Sequence, residues 1–423
     1  MDELYSHECP ACSGKHPRNA VETGINFSSE VLTQALRAIY DGMNVEDEIQ
    51  RDAFEEMLRI FNEAAVAGII ASKKTPPRME TFLEQLKYNN EVFSAFKVHR
   101  MQNDMAARLV DENGQLKPFE KWKRDVEDIA DHYCNRWLQT EYDTAVLRAH
   151  QATDWLQFEA EKDVYPNLRW MPTTSPNPDE YHKQYWRAKL TLPINHPFWK
   201  SHRPGDRWNC KCSLRQTDEP ATTEAIADFK PVPSQPGLDN NPAQDGKLFS
   251  DSHPYYTNAY PGAKEAAEKV IMKVRRKQIQ KEADLLRKQS FRNKSLDRDI
   301  HITGRGIKEW LNQPHEFYSA KNELLLSMDK LLKKAKYLGY GPDRHDASIK
   351  AHLFETTIKG KKSWIIVREF SPDRLEVHSI SDSEKIKDII NKETGLLIRT
   401  RRTAIYDLKR KPGFYTANIQ LII

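Results

Sequence analysis

The most unusual part of this sequence is HPFWKSHRPGDRWNCKC at residues 196–212, which combines tryptophan, histidine and cysteine pairs with a Pro-Gly turn. The positions of proline and glycine predict a loop rather than a helix or a long strand. Phe198, Trp199 and Trp208 are too apolar to lie freely in water, so we expect this loop to pack onto the rest of the protein. If the backbone is extended at the end of the loop, Cys210 and Cys212 point to the same side of a strand.

Histidine and cysteine side chains of this region can supply ligands to a metal ion. Neutral imidazole and thiolate groups suit zinc, and His182, Cys210 and Cys212 are the best candidates. The alternative is that the histidine is a hydrogen-bonded structural residue and that no metal binds. Because no carboxylate accompanies these residues as an obvious base, we expect any zinc ion here to be structural.

A second cysteine pair lies near the amino terminus, where Cys9 and Cys12 have the Cys-x2-Cys spacing that lets two thiolates reach one zinc ion. His7 and His16 flank this pair. Three interpretations remain open: a tail without a metal, a local metal site, or a four-thiolate site that the two central cysteines complete.

The central part of the sequence resembles the head-morphogenesis domain of tailed phages, the family of the Mu minor head protein F. The resemblance rests on LRW at residues 168–170, PFW at residues 197–199, and WNCKC at residues 208–212, with lysine in place of the family's arginine. The family's Pro-Glu-His is replaced by EYH at residues 180–182. The resemblance covers residues 117–217, and it implies a minor capsid protein that works with phage portal and capsid proteins.

Composition restricts the class of protein. With 423 residues, 39% hydrophobic and 30% charged, the chain is globular but polar, and it is long enough for two or three domains.

The amino terminus lacks the apolar core of a signal peptide, and no window has the roughly eighteen apolar residues of a membrane span. We therefore expect no membrane partner, and localisation in the virion or, during assembly, in the cytoplasm of the host bacterium. The net charge of +4 does not by itself indicate nucleic acid, and the odd number of five cysteines does not favour a disulfide framework.

The amino-terminal half is predicted to be mainly helical. Ser28 or Ser29 is a suitable N-cap, and apolar residues recur at helical spacing from there to about residue 162. Cys134 lies beside one of these apolar stripes and is predicted to be a small buried residue rather than a ligand. The resemblance implies that residues 28–116 contact the portal, and the alternative is a helical bundle whose apolar faces form only its own core.

Two segments of biased composition follow the central domain. Residues 218–262 are rich in proline and glycine, which is typical of a linker, although the aromatic stretch at residues 247–256 is expected to dock on the central domain. Residues 263–297 carry more basic than acidic side chains and predict a helix. A solvated charged helix and a nucleic-acid contact both remain open for this segment. Its nucleic-acid candidates are Lys273, Arg275, Arg276 and Lys277.

From residue 298 the pattern changes to short strands with one helix. The predicted strands are at residues 300–303, 348–358, 363–368, 375–380 and 415–423, and the predicted helix is at residues 323–336. Strands joined by hairpin-sized loops predict an α+β domain with an antiparallel sheet.

This carboxyl-terminal part resembles the phage-associated nuclease group of barnase, EndoU, colicin and RelE-like domains. The resemblance is one of arrangement, and it rests on His345, Lys350 and His352, on WIIV at residues 364–367 and on VHSI at residues 377–380. It implies cleavage of RNA without a metal ion.

Such cleavage needs a base, an acid and cations that stabilise the phosphate. We assign the acid and the base to His352 and His378, and the stabilisation of the anion to Lys350, Arg305 and Arg368. Nucleic-acid binding without cleavage and a purely structural role remain alternatives. Further nucleic-acid candidates, which can equally be solvated edges of the sheet, are Arg399, Arg401 and Arg402.

These patterns predict a multidomain α+β protein with a mainly helical amino-terminal half, a small α+β central domain with a Trp/Cys-rich loop, and a carboxyl-terminal α+β domain with an antiparallel sheet. The expected function is that of a phage or prophage minor capsid protein that associates with the portal and carries a ribonuclease or toxin domain; the alternative is a structural or DNA-binding head protein without catalysis. The predicted parts are a Cys/His-containing tail (1–27), a portal-contacting helical region (28–116), the head-morphogenesis domain (117–217), a linker (218–262), a basic helix (263–297) and the nuclease-like domain (298–423).

Overall fold

The structure is a computed structural model, and it describes Tyr5 and residues 25–173, 180–230, 232–343, 346, 348–371 and 374–389. The chain divides between Ile271 and Met272 into two compact units. Each unit has its own core.

Helices dominate the first unit, as predicted. The first of them begins after Ser28, whose Oγ accepts a hydrogen bond from the Val31 N–H at 3.3 Å, so the predicted N-cap is confirmed. The helices are α1 (Ser29–Tyr40), α2 (Arg51–Ser72), α3 (Met79–Ala106), α4 (Phe119–Asp125), α5 (Glu127–Asp131), α6 (Trp137–Glu161), α7 (Glu180–Arg187), α8 (Phe198–Ser201), α9 (Pro242–Asp245) and α10 (Pro254–Thr257), with α11 (Ala263–Asp284) running on into the second unit.

Helix α2 packs against both α3 and α6 in the core of the first unit. The apolar face of α2 is buried, with Phe54 and Phe61 fully inside. Where α2 meets α6, a Cβ atom added to Gly68 would lie only 2.3 Å from the carbonyl oxygen of Val146. Glycine permits this close approach of two helix backbones because it has no side chain.

A polar network lies inside this helical core. The Lys97 Nζ of α3 is 2.6 Å from the Glu141 Oε2 of α6, and both side chains are fully buried. The hydroxyls of Tyr5 and Tyr255 donate to Glu141 Oε1 at 2.8 Å and 2.7 Å. His253 completes the network, because its Nε2 lies 3.0 Å from the Tyr5 hydroxyl and its Nδ1 accepts from the Tyr255 N–H. The network therefore joins two helices to segments that are distant in sequence.

A small antiparallel sheet supports the Trp/Cys-rich loop. It has the order β2-β1-β3, from strands β1 (Asn167–Met171), β2 (Thr191–Pro193) and β3 (Ser213–Thr217). Leu168 and Trp170, two residues apart on β1, are buried in an apolar cluster with Trp155, Tyr185 and Trp199. The loop at residues 196–212 runs between β2 and β3, so this sheet holds both of its ends.

The aromatic stretch at residues 247–256 packs into the first unit, as expected. The Phe249 ring lies 5.5 Å from the Trp208 ring of the central loop and 4.4 Å from the Phe93 ring of α3. Tyr255 is fully buried. This stretch therefore contributes core residues, although the segment around it has the composition of a linker.

The second unit combines a sheet with short helices. The strands follow the order β4-β5-β9-β8-β7-β6, and neighbours are antiparallel except for β5 and β9, which are parallel. The elements are β4 (Ser290–Arg292), β5 (Asp299–His301), α12 (Gly304–Asn312), α13 (Tyr318–Glu323), α14 (Met328–Lys334), β6 (Lys336–Pro342), β7 (Lys350–Ile358), β8 (Lys361–Ser371) and β9 (Arg374–Ser381).

The two faces of this sheet have different apolar partners. On one face, Val367 of β8 belongs to a large cluster that includes Trp310 of α12 and Leu332 of α14. On the opposite face, Leu353 and Trp364 form a smaller cluster with Ile386. Because side chains alternate along a strand, adjacent residues of β7 or β8 project to opposite faces.

The predicted class, multidomain α+β, is confirmed. Four predicted strands are present as β5, β7, β8 and β9. The predicted helix at residues 323–336 is shorter than expected, because a 3-10 turn separates α13 from α14 and the chain enters β6 at Lys336. Helix α12 was not predicted, and the predicted strand at residues 415–423 lies outside the described residues. The finer domain boundaries remain predictions.

Candidate functional site

The predicted metal ligands His182, Cys210 and Cys212 lie together in the first unit. His182 projects from α7, Cys210 lies at the end of the loop, and Cys212 immediately precedes β3. His182 Nδ1 is 3.3 Å from Cys210 Sγ and 3.8 Å from Cys212 Sγ. All three ligand atoms lie within 4.8 Å of one another.

The loop reaches this geometry through two residues with left-handed backbone conformations. Gly205 has φ +81° and Asn209 has φ 62°, and glycine and asparagine tolerate this region better than other residues. The buried Arg148 of α6 donates a hydrogen bond to the Gly205 carbonyl at 2.6 Å, which fixes the first turn. At the end of the loop, the Cys212 N–H donates to Cys210 Sγ at 3.4 Å. Both thiols face His182 Nδ1 and therefore lie on the same side, although Cys210 and Cys212 precede β3 and do not lie within a strand.

A carboxylate that the sequence analysis did not identify completes the cluster. Asp206 Oδ1 lies 2.8 Å from His182 Nε2, the imidazole nitrogen that faces away from the thiols. Burial raises the pKa of Asp206, but the hydrogen bond with His182 and the His202 ring 3.9 Å away outweigh this and lower the pKa to about 2. Asp206 is therefore an ionised partner of the histidine. Its position in the Pro-Gly-Asp turn, four residues before Cys210, was the signal that could have found it.

This His-Cys-Cys-Asp cluster is closed off from solvent. His182 and Asp206 are each 2% exposed, Cys210 is 6% exposed and Cys212 is 2% exposed. The Trp170 ring contacts the His182 ring edge to face, with ring centroids 4.9 Å apart.

Two chemistries fit the atoms of this cluster. The first is a metal site with one nitrogen and two sulfur ligands; the second is a Cys-His-Asp arrangement for nucleophilic catalysis. A nucleophile must be a thiolate and must be accessible to its substrate. A side-chain hydrogen bond with the Cys212 thiol and burial both raise the pKa of the Cys210 thiol well above its usual value. Because both thiols are buried, a substrate cannot reach them, and this disfavours nucleophilic catalysis.

The other predicted metal ligands, Cys9 and Cys12, lie outside the described residues, and their roles remain predictions. Tyr5, four positions before Cys9, is described. Its ring packs against Trp208 of the central loop, with ring centroids 4.6 Å apart.

Three of the predicted catalytic residues meet at one pocket of the second unit. Arg305 of α12, Arg368 of β8 and His378 of β9 line a small surface pocket together with Thr303 and Glu376. His378 reaches this pocket because β9 has a bulge: Ile366 pairs with Ser379 and Val367 pairs with Val377, so the residue between them has no partner in the register.

The side chains of this pocket differ in their availability. Arg368 is buried and donates two hydrogen bonds to Asp343, at 2.9 Å and 3.0 Å. Arg305 is exposed. His378 is half-buried and has no hydrogen-bond partner among the residues that the structure describes. Burial and the positive charge of Arg368 lower the pKa of His378 to about 4, so its imidazole is neutral at pH 7.

His352 and Lys350 are not part of this pocket. His352 pairs with Val367, so it lies on the face of the sheet opposite to Arg368. Its Nε2 is 2.8 Å from Glu369 Oε2 and its Nδ1 is 2.9 Å from the Tyr337 hydroxyl. Lys350 is exposed on the same strand. The sheet therefore separates the two histidines that were assigned as acid and base, and both ring nitrogens of His352 are engaged.

The nucleic-acid candidates on α11 are divided by exposure. Lys273 and Lys277 are exposed, one helical turn apart. Arg276 is half-buried and donates to the Tyr318 hydroxyl at 3.3 Å, and Arg275 is also half-buried. The candidates Arg399, Arg401 and Arg402 lie outside the described residues, as does His345.

Comparison with protein families gives one match. The model of large polyvalent protein-associated domain 3, a phage-associated domain, matches residues 271–375, which is less than half of the chain. No family of Mu F-like head proteins or of nucleases matches. No curated protein and no solved structure matches the chain. The family match supports a phage-associated protein.

In the part of the chain that the structure describes, no helix combines the length and the apolar character that crossing a membrane requires.

Proposed function

We propose that this chain is a minor capsid, or head-morphogenesis, protein of a phage or an integrated prophage, and that it binds portal and capsid proteins during assembly. The observation that carries the proposal is the placement of the closing motif at residues 208–212. Trp208, Cys210 and Cys212 are buried, and Trp208 packs on Tyr5 and Phe249. Because the side chains of this motif pack inside their own unit, we assign the motif a structural role in which it holds the loop in place.

Two further observations support an assembly role. Among the residues that resemble the head-morphogenesis family, Phe198 and Trp199 of PFW and the two cysteines of WNCKC contribute to one apolar core around β1. The phage-associated domain match at residues 271–375 adds the biological setting. On this proposal the protein belongs to the virion, or to the host cytoplasm while the head assembles.

The proposal is tested in a lysogen that carries the gene. Particles and procapsids are purified after induction, and the chain is identified in them by mass spectrometry together with the portal protein. We expect the chain in procapsids, and we expect defective heads when the gene is deleted and complemented with a Trp208→Ala variant. Normal heads after gene deletion, or procapsids without the chain, would refute a role in assembly.

A second candidate function, RNA cleavage without a metal ion, is favoured by the pocket of Arg305, Arg368 and His378. The exposed guanidinium group of Arg305 can stabilise the charge that develops on a phosphate, whereas Arg368 is already paired with Asp343. The neutral imidazole of His378 can accept the proton of a 2′-hydroxyl, and a bound phosphate would raise its pKa because an anion favours the charged ring. On this proposal His352 has a structural role.

The second candidate is tested with the full chain, RNA and a chelator. His378→Ala and Arg305→Ala are expected to abolish cleavage. Lys308→Ala is the matched control, because Lys308 is an exposed cation on the same helix α12. An intact RNA substrate with the wild-type chain, or equal cleavage by His378→Ala, would refute catalysis at this pocket. Binding that weakens steeply with salt but leaves RNA intact would indicate nucleic-acid binding alone, with Lys273 and Lys277 as the first residues to replace.

A further inference from the structure

Three buried ligand atoms in the central region converge at distances that a tetrahedral zinc ion requires. With Zn–S bonds of about 2.3 Å and Zn–N bonds of about 2.0–2.1 Å, tetrahedral angles place sulfur and nitrogen ligands about 3.5–3.6 Å apart. The two observed distances from His182 Nδ1, 3.3 Å and 3.8 Å, lie on either side of this value. The nitrogen–sulfur distances therefore need to change by only a few tenths of an ångström to hold one ion, and the two sulfurs lie within 4.8 Å of each other.

The imidazole is oriented as it is in metal sites. A histidine that binds a metal through one nitrogen usually donates the other N–H to a carboxylate or a carbonyl, and this fixes the ring and its tautomer. Here Nδ1 faces the sulfurs, and Nε2 faces Asp206 Oδ1 at 2.8 Å. Asp206 is held in place in turn, because its Oδ2 accepts from the Arg203 N–H at 3.3 Å. This carboxylate is an observation independent of the spacing of the ligands.

We propose that His182 Nδ1, Cys210 Sγ and Cys212 Sγ bind one zinc ion, and that Asp206 positions the imidazole for it. Two thiolates and an imidazole are the donor set that zinc prefers over calcium or magnesium, which take oxygen ligands. Zinc in a structural site has four ligands, so a fourth donor, in addition to His182, Cys210 and Cys212, completes the tetrahedron.

The ion ties together three segments that have little regular structure to hold them. His182 belongs to the short helix α7, Cys210 to the loop and Cys212 to the entrance of β3. The three-stranded sheet has only three and five residues in β2 and β3, and such short strands contribute few hydrogen bonds. We therefore assign the ion a structural role, in which it fixes the loop onto the sheet. This assignment stands independently of the role in phage assembly.

The metal content of the purified full-length chain tests the proposal. The chain is purified in the presence of zinc, and unbound metal is removed by gel filtration. We then expect about one zinc ion per chain. We also expect the cobalt-substituted protein to show thiolate-to-cobalt charge-transfer absorption. Cys212→Ser and His182→Ala are expected to lose both signals. Cys134→Ser is the matched control, because Cys134 is a buried thiol on a different part of the unit, 3.7 Å from Met101 Sδ. Asp206→Asn is expected to weaken zinc binding about 10-fold to 100-fold without abolishing it.

A second measurement keeps the proposal testable if a ligand variant fails to fold. In the wild-type chain, Cys210 and Cys212 are expected to resist alkylation until a strong chelator is added, and peptide mapping identifies the modified thiols. Wild-type protein that contains no zinc after this purification, or Cys212→Ser that retains full zinc content, would overturn the site. If Cys210 alone is labelled, and to the same extent with and without the chelator, Cys210 is a reactive nucleophile. This result would also overturn the proposed zinc site.

Discussion

Replacing Glu141 by glutamine is expected to destabilise the first unit more than any exposed charge change would. Glu141 is the only charged partner that lies against Lys97 among the described residues, and both side chains are fully buried. Removing one member of a buried ion pair leaves an uncompensated charge, which costs about 3–5 kcal/mol. The hydroxyls of Tyr5 and Tyr255 can still donate to the glutamine oxygen, so we expect no additional loss from them.

The double variant Lys97→Met/Glu141→Gln separates charge from packing. It removes the cation together with the carboxylate and keeps an acceptor for the two tyrosines. We expect it to be more stable than Glu141→Gln alone by about 2 kcal/mol or more, because replacing a buried pair by uncharged groups of similar volume often costs little. Glu63→Gln is the control, because Glu63 forms an exposed pair with Arg59 on α2, and exposed pairs are worth about 0–1 kcal/mol.

The assay must report on the first unit alone, because a chain with two units need not unfold in one step. Hydrogen exchange of peptides from α3 and α6, measured in increasing urea, gives the free energy of opening of this core. If Glu141→Gln costs less than about 1 kcal/mol, the reasoning is refuted, because Lys97 would then have lost its proton or found water at little cost. A double variant less stable than both single variants would also refute it.

Three further predictions concern other parts of the first unit. His253→Asn keeps an acceptor at the start of α10, and it should flatten the pH dependence of stability. Burial and the charge of Lys97 hold the pKa of His253 well below its usual value, so below about pH 6.5 the unfolded chain binds a proton that the folded chain does not. As the pH falls through this range, the free energy of unfolding of the wild type decreases by up to about 1.4 kcal/mol per pH unit because of this group. Gly68→Ala should cost about 1–3 kcal/mol in thermal or urea unfolding, because the added methyl would overlap the backbone of α6, and a neutral effect would contradict the observed close approach. Cys9→Ser/Cys12→Ser should lower the zinc content of the full chain if the amino-terminal pair supplies ligands, whereas an unchanged cobalt spectrum would remove both cysteines from the ligand set.

The helices of the first unit were predictable because their signals are local. The apolar residues of α2 recur every three or four positions, and Ser28 caps α1 through a contact only three residues away. Strand β6 was missed because its local strand signal is weak. It follows a leucine-rich helix directly, and its sequence KYLGYGP contains two glycines and a proline, which are weak strand formers. Proline is tolerated there because β6 is the last strand in the described sheet order.

The sites depended on contacts that local patterns do not contain. Sequence spacing identified His182, Cys210 and Cys212, but the contact between His182 and Asp206 joins α7 to a loop and follows no periodicity. In the second unit, alternation along β7 and β9 did not reveal that a bulge moves His378 to the pocket of Arg368. Strand register and bulges are set by tertiary packing, so the assignment of two cooperating histidines could not be checked before the sheet was known.

The parallel pairing of β5 with β9 also determines when the sheet of the second unit can be completed during synthesis. Strand β9 lies between β5 and β8 in the sheet, yet it is the last of the described strands to leave the ribosome. Until residues 374–381 emerge, the adjoining edges of β5 and β8 have no partner, and unpaired edges invite association with other chains. A nascent or truncated chain that stops before Arg374 therefore exposes the edges of β5 and β8 in addition to those of β4 and β6, the outer strands of the described sheet. Chaperone binding and aggregation of such fragments should rise sharply at this one boundary.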